Sequence, residues 1–191
     1  MNTRNQIVWY SYAPSPLGNL LMTANEDGLT GLFFPCHQQR SAPQSGWVSD
    51  AQPFQNLRRQ LDAYFRGNLR DFDVPLSMSG TPFEQRVWTA LREIPYGVTV
   101  SYRDIAEQIG QGKAFRAVGL ANGRNPIPIL VPCHRVIGAN GQLTGYGGGL
   151  ETKKWLLELE GVELRHSNRI RSSVFEGEGR VRVPSSIVRM P

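Results

Sequence analysis

The hydrophobic period of this 191-residue chain changes partway along, and that change limits the folds open to it. Ile7 to Tyr12, Asn19 to Ala24 and Leu29 to Phe34 have the composition of short strands. They are separated by Pro14-Ser15-Pro16-Leu17-Gly18 and Asn25-Glu26-Asp27-Gly28, runs of residues that favour turns, so a small antiparallel sheet is predicted. Pro35 to Gln52 is polar and proline-bearing and is predicted to be a loop. From Pro53 the period becomes helical: Phe54, Leu57, Leu61, Tyr64 and Phe65 recur on one face, and Gly67 ends the run. Phe72, Val74, Leu76 and Met78 alternate again and are predicted to add a strand. Residues 1–78 therefore form an α/β unit.

Residues 79–164 form a second, mainly helical unit. Thr81 can cap a helix, with Pro82 at its first position and Glu84 three residues after the cap. Phe83, Val87, Trp88, Leu91 and Ile94 make its buried stripe, and Pro95-Tyr96-Gly97 stops it. A short helix from Ser101 or Tyr102 to Ile109-Gly110 follows, and Gly112 then introduces another from Lys113 to Asn122. Two short helices joined by a tight glycine-bearing turn suit a helix-turn-helix, and equally suit an ordinary helical hairpin.

Charge is uneven. Of the formal net charge of +5, acidic and basic residues balance through Met78, the second unit has a small basic excess, and Arg169, Arg171, Arg180, Arg182 and Arg189 supply the rest. A basic balance suits a polyanionic partner. The tail, residues 165–191, lacks helical period and is expected to be flexible, adding nonspecific phosphate affinity. No apolar run approaches the length that crosses a bilayer, and the N-terminus lacks the basic-then-hydrophobic pattern of a signal peptide. A cytoplasmic protein with no membrane association is expected. The two cysteines, Cys36 and Cys133, are not expected to pair in a reducing compartment. Cys36-His37 and Cys133-His134 are adjacent pairs without the spacing of a structural zinc site, so neither metal nor cofactor is expected.

The chemistry concentrates in Val131-Pro132-Cys133-His134-Arg135-Val136, which sets a thiol beside an imidazole. A free thiol with a pKa near 8.5 is mostly protonated at neutral pH, and an imidazolium or positive field raises its thiolate fraction. A lone cysteine is more commonly a buried structural residue. Adjacent side chains in an extended segment diverge, so cooperation of Cys133 with His134 needs a bend or a bridging water.

The context of that segment carries a resemblance. Tyr102-Arg103-Asp104-Ile105-Ala106, Arg116-Ala117-Val118-Gly119, Asn122-Gly123-Arg124-Asn125-Pro126, Gly145-Tyr146-Gly147-Gly148-Gly149-Leu150, Trp155-Leu156-Leu157 and Glu160-Gly161 accompany it. Together they resemble the O6-alkylguanine-DNA alkyltransferases, the methylated-DNA–protein-cysteine methyltransferases. The likeness is dense from about Gly80 to Gly161. It is weaker in Ser15-Pro16-Leu17-Gly18 and in Leu61, Tyr64, Phe65 and Gly67, and it stops near Val162.

The resemblance implies a ribonuclease H-like α/β domain followed by a mainly α-helical domain of winged helix-turn-helix type. It implies single-turnover DNA repair, in which the alkyl group of O6-alkylguanine, and also of O4-alkylthymine, passes irreversibly to Cys133. His134 would take the thiol proton, directly or through a water, and Glu160 would hold the imidazole; from sequence alone Glu160 could equally be a solvated helix-end residue. Tyr102 would donate to guanine N3, its alternative being an aromatic packed at a helix start. Asn125 would tie the DNA-binding helix to the nucleophile segment. The resemblance also implies minor-groove binding to duplex DNA with base flipping. Arg116 would fill the gap in the duplex, with Phe115, Ala114, Ala117, Ala121, Asn122, Arg124 and Arg135 at the DNA. Val136, Tyr146, Gly147 and Gly148 would line the base pocket. The protein would work as a monomer, or assembled on DNA, with no obligate protein partner.

Two departures stand out. Gly147 replaces a serine common in the family, which leaves the backbone donor but widens the pocket. Phe115 replaces a small residue before the arginine, where it either wedges into the duplex or hinders entry to the groove. Pro35-Cys36-His37 repeats the nucleophile's local pattern without its surroundings, so Cys36 is taken as incidental. Two rival functions are a cysteine hydrolase using Cys133, His134 and Glu160, and a non-catalytic lesion binder; the cysteine at position 133 argues against the second.

Overall fold

The computed structural model describes residues 7–36, 42–165 and 169–170. Leu20, Leu21, Met22, Thr23 and Ala24 are all buried, so β2 (Leu20–Asn25) is covered on both faces. It pairs antiparallel with β1 (Trp9–Ala13) on one side and β3 (Gly28–Phe33) on the other. The predicted antiparallel sheet is present, with its boundaries moved by one or two residues. It also gains an edge: β4 (Val48–Ser49) runs parallel to β1, with Trp9 opposite Val48. Two residues are too short to display a period, which is why the sequence places them in a loop. The alternating stretch from Phe72 to Met78 adds only an isolated bridge, Leu76 to Leu29, where Leu29 N donates to Pro75 O at 2.9 Å. Gly28 permits that approach: a Cβ there would lie 2.5 Å from Pro75 O.

Helix α1 (Gln55–Phe65) buries Leu57, Leu61 and Tyr64 against the sheet side of the core. Helix α2 (Pro82–Arg92) begins as its sequence dictates. Thr81 Oγ1 accepts from Glu84 N at 3.3 Å, and Glu84 Oε2 accepts from Thr81 N at 2.9 Å. Such a cap contributes on the order of 1 kcal/mol. Ser101 and Asp104 repeat the reciprocal cap at the start of α3 (Tyr102–Gln108). Helix α4 (Phe115–Gly123) follows after a short connection, displaced by one or two residues from the predicted span.

A fifth helix, α5 (Leu150–Leu159), carries no sequence-based prediction. It starts from Gly149 at φ +85 without a side-chain cap, and Lys153 interrupts its apolar face. Leu164–Arg165 and Arg169–Ile170 pair antiparallel as β7 and β8. The expectation of a flexible tail beyond them falls outside the described residues, as does His37 of the Cys36 pair.

The apolar faces of both units meet in one core, in which Leu20, Phe54 and Tyr64 join Trp88, Val118 and Val131. A short parallel pair, β5 (Val100–Ser101) with β6 (Val136–Ile137), fastens the start of α3 to the residues just after Cys133. Among the described residues no helix is long and apolar enough to cross a membrane.

Candidate active site

The segment entering the site is strained. Ile129 adopts φ +76, left-handed territory that a β-branched side chain seldom enters. Such a residue costs on the order of 1–3 kcal/mol and persists only where its surroundings hold it. Val131 N donates to Ile127 O at 3.0 Å, and Cys133 N to Val131 O at 2.8 Å. Cys133–Arg135 then form a 3-10 turn, with Arg135 N donating to Pro132 O at 2.9 Å. The backbone therefore bends at the thiol and imidazole, and among the described residues no hydrogen bond joins Cys133 Sγ to the His134 ring.

Asn125 joins the end of α4 to this segment. Its Nδ2 donates to Val131 O at 2.7 Å and to Cys133 Sγ at 3.0 Å, while its Oδ1 accepts from Ile127 N at 3.0 Å. Cys133 itself is buried. Burial pushes its thiol up to about 11, against the lowering influence of the Asn125 hydrogen bond and the Lys153 cation. The sulfur is thus a protonated thiol in the free protein. The expectation that its surroundings raise the thiolate fraction fails because desolvation outweighs the partners.

His134 and Glu160 are fully enclosed, with Nε2 and Oε1 2.8 Å apart. Burial lowers the His134 pKa against the raising influence of Glu160, which keeps the imidazole neutral. A neutral ring donating from Nε2 leaves Nδ1 as the acceptor. Nδ1 is buried and has no partner among the described residues. Glu160 also accepts from Tyr64 Oη at 2.7 Å, Arg135 Nε at 2.8 Å, Arg135 Nη2 at 3.0 Å and Gly97 N at 3.2 Å. Burial alone would raise the Glu160 carboxyl, but His134 and Arg135 outweigh it and hold the group well below the usual carboxylate range. The alternative of a solvated helix-end residue is excluded.

Tyr102 begins α3, and its ring lies 3.7 Å from where a Cβ on Gly119 would stand. Its hydroxyl shares a hydrogen bond of 2.9 Å with Thr144 Oγ1, and burial raises its pKa, so it remains a donor. The Tyr146 hydroxyl is buried without a well-formed partner among the described residues, and lies near enough to Cys133 that a thiolate there would accept a hydrogen bond from it. Gly148 is buried and Gly147 exposed. A Cβ on Gly148 would stand 2.9 Å from both the Phe34 and Tyr146 rings, so the loop closes only with glycine. Val136 is buried in β6.

Lys153, Thr144 and Tyr64 were not foreseen. Lys153 is fully buried, with Nζ donating to Val136 O at 2.6 Å and to Thr144 O at 3.2 Å. Its sequence signal is spacing, since it falls three residues before Leu156 and four before Leu157, the buried leucines of α5. Burial lowers its pKa to about 8. Cys36 also needs correction. Its thiol donates to Gly148 O at 3.2 Å, so it touches the glycine loop it was expected to have no relation to.

The residues assigned to DNA divide. Phe115, Arg116 and Ala117 are exposed and Ala114 is partly so, with the Arg116 guanidinium 5.9 Å from the Phe115 ring centre. Leu120, unassigned from sequence, is 58% exposed on the same helix. Ala121 and Asn122 are buried, because they share the inward face of α4 with Val118; Asn122 Nδ2 donates to Cys133 O at 3.4 Å. Arg135 is buried as well, bonded to Glu160 and donating to Ile94 O at 2.6 Å. These three cannot meet DNA from where they sit. Arg124 pairs with Glu84 at 3.0 Å while staying largely exposed. Among the described residues no three His, Cys, Asp or Glu side chains group so as to hold a metal.

An α/β unit packs on a helical unit, and the second holds a buried cysteine, histidine and carboxylate, the side chains of a cysteine nucleophile site. Comparison with known proteins makes the assignment definite. The ribonuclease-like domain of 6-O-methylguanine DNA methyltransferase matches residues 8–78, and the DNA binding domain of the same family matches residues 82–162. The methylated-DNA–protein-cysteine methyltransferase of Methanosarcina acetivorans is 51% identical over 154 residues, 81% of this chain and 99% of that protein. Its counterpart from Mycobacterium tuberculosis H37Rv is 52% identical over 154 residues, 81% of this chain and 93% of that protein. The crystal structure of Mycobacterium tuberculosis OGT in complex with DNA aligns with a TM-score of 0.74 at 52% identity, covering 80% of this chain and 92% of that one. The chain belongs to the 6-O-methylguanine DNA methyltransferase family.

Proposed function

We propose that this protein repairs DNA by taking the alkyl group of O6-alkylguanine, and of O4-alkylthymine, irreversibly onto Cys133. The observation that carries the proposal is the buried thiol beside a neutral imidazole whose Nε2 is committed to Glu160. His134 Nδ1, directly or through a water, takes the thiol proton as sulfur attacks the alkyl carbon. A carbon–sulfur bond forms, the carbon–O6 bond breaks, and its electron pair leaves with guanine. Tyr102 donates a hydrogen bond to guanine N3 as that charge develops, and the proton taken by His134 passes through solvent to the released guanine, so that the products are neutral. Lys153 and the Asn125 amide both stabilise the developing thiolate. The thioether has no hydrolytic exit, so each molecule acts once.

A stacked base cannot deliver its O6 substituent to a buried sulfur, so the nucleotide is flipped, at a cost of a few kcal/mol. Helix α4, as the second helix of a winged helix-turn-helix, enters the minor groove with Arg116 leading and Phe115 and Leu120 beside it as apolar surface. Residues 1–78 are the ribonuclease H-like domain and residues 79–164 the DNA-binding and acceptor domain. The protein works in the cytoplasm as a monomer, without a membrane or an obligate protein partner.

Arg116→Ala tests the duplex part of this account. Its single-turnover rate on duplex O6-methylguanine should fall at least tenfold, while reaction with free O6-benzylguanine stays within about twofold. Equal losses on both substrates would remove the flipping role from Arg116.

A further inference from the structure

One buried contact crosses from the N-terminal unit into the acceptor site without a part in the mechanism so far. Tyr64 lies on α1, is fully buried, and donates from its hydroxyl to Glu160 Oε1 at 2.7 Å. The same oxygen accepts from His134 Nε2 at 2.8 Å and from Arg135 Nη2 at 3.0 Å. We propose that Tyr64 is a positioning residue for the alkyl-acceptor site: by sharing Oε1 with His134 Nε2 it sets how tightly Glu160 holds the imidazole.

The geometry supplies the reason. A carboxylate oxygen divides its acceptor strength among its donors, and hydrogen bonds to an ionised group are stronger than neutral ones. Tyr64 cannot leave by ionising, because burial and the adjacent Glu160 charge keep its phenol protonated. Nor can its ring drift, since it packs edge-on against Phe65 and Tyr96 with centroids 5.5 Å and 6.2 Å away. Other charged and titratable groups face the pair from every side. Arg135 comes from the 3-10 turn, and Tyr96 and Arg70 from the loops flanking α2 and α1. Lys153 on α5, Cys133, and Tyr146 of the glycine loop face it as well. Arg135 and Gly97 N still anchor the carboxylate if the Tyr64 hydroxyl is removed. What changes is the electron density left for His134. Glu160 then attracts the imidazole proton more strongly, and His134 becomes easier to protonate.

Tyr64→Phe keeps the ring and removes only the hydroxyl. The His134 titration midpoint, followed by nitrogen-15 NMR on the free protein, is expected to rise by about half a unit or more, since fewer donors compete for Oε1. A protonated imidazole cannot accept the thiol proton, so the acid limb of the single-turnover rate should move up by the same amount. Half a unit is roughly a threefold loss on that limb, with little change on the alkaline side. A merely structural Tyr64 would lower the rate by one factor at every pH and leave the midpoint where it is, and that pattern would overturn the proposal. Placing 3-fluorotyrosine at position 64 supplies a stronger donor and should move the midpoint down; a shift upward, or none, also counts against it. The proposal rests on the alkyl-acceptor role of Cys133, but the NMR titration involves no DNA. An unmoved midpoint therefore refutes the Tyr64 role alone, whereas an unalkylated wild-type Cys133 refutes the function.

Discussion

Glu160→Gln is expected to lower stability by about 3–5 kcal/mol, the range seen when one partner of a buried ion pair is removed, and to slow alkyl transfer roughly a hundredfold. The carboxylate accepts from Tyr64, His134, Arg135 and Gly97, and each of those groups presents a donor. A glutamine side chain offers one acceptor oxygen and turns an NH2 toward donors that cannot receive it. Arg135 is left charged, buried and unpaired. Folding depresses the Glu160 pKa, so its stabilisation is fully present above the carboxyl range of the unfolded chain and is lost as pH falls through the lower, folded-state value. The variant's stability should therefore fall less steeply in acid than that of the wild type. Urea unfolding across pH, with single-turnover kinetics at neutral pH, measures both effects. A variant as stable and as fast as the wild type would mean the relay is not where we place it.

Asn125→Ala is the second large effect. The amide spans Ile127 N, Val131 O and Cys133 Sγ, holding a segment that also contains the strained Ile129. Removing it leaves a backbone donor and acceptor unpaired next to that strain, at roughly 1–3 kcal/mol for each buried group. The sulfur also loses the Asn125 amide donor, so transfer should slow at least tenfold. Asn125→Asp separates the two roles. It can still accept from Ile127 N, yet it sets a negative charge against the sulfur, which raises the thiol pKa further and makes transfer slower than in the alanine variant. Titrating Cys133 with a chromogenic disulfide across pH, together with single-turnover rates, gives the order. If Asn125→Asp reacted faster than Asn125→Ala, the sulfur contact would be irrelevant to the chemistry.

The parts of the fold that came through in the sequence are those set by local rules. Thr81, Pro82 and Glu84 announce α2 because an N-cap needs those residue types at that spacing. The strands of the sheet carry enough residues to show their character, whereas β4 is too short to do so. Partnerships between distant segments have no local signature. Tyr64 reads as a core aromatic at helical spacing and is one, but nothing on α1 announces that its hydroxyl reaches Glu160. Cys36 looked incidental because its neighbours in sequence are polar; its neighbour in space is Gly148.

The misplaced DNA contacts have a different cause. Val118, Ala121 and Asn122 fall at helical spacing on one face, and the helical period already separates them from Arg116 and Leu120. The resemblance put Ala121 and Asn122 at the DNA, yet here they serve the packing of α4 on the core. For Arg135 the resemblance implied a DNA contact, while its counter-ion, Glu160, lies far along the chain.

The most direct measurement is the intact mass of the protein after incubation with excess duplex DNA containing O6-methylguanine, with peptide mapping and Cys133→Ala in parallel. The wild type should gain the mass of one methylene, on Cys133 alone, and stop at one equivalent, while the variant gains nothing. A folded wild-type protein whose Cys133 stays unmodified in excess lesion, or whose methyl group maps to Cys36, would contradict the account.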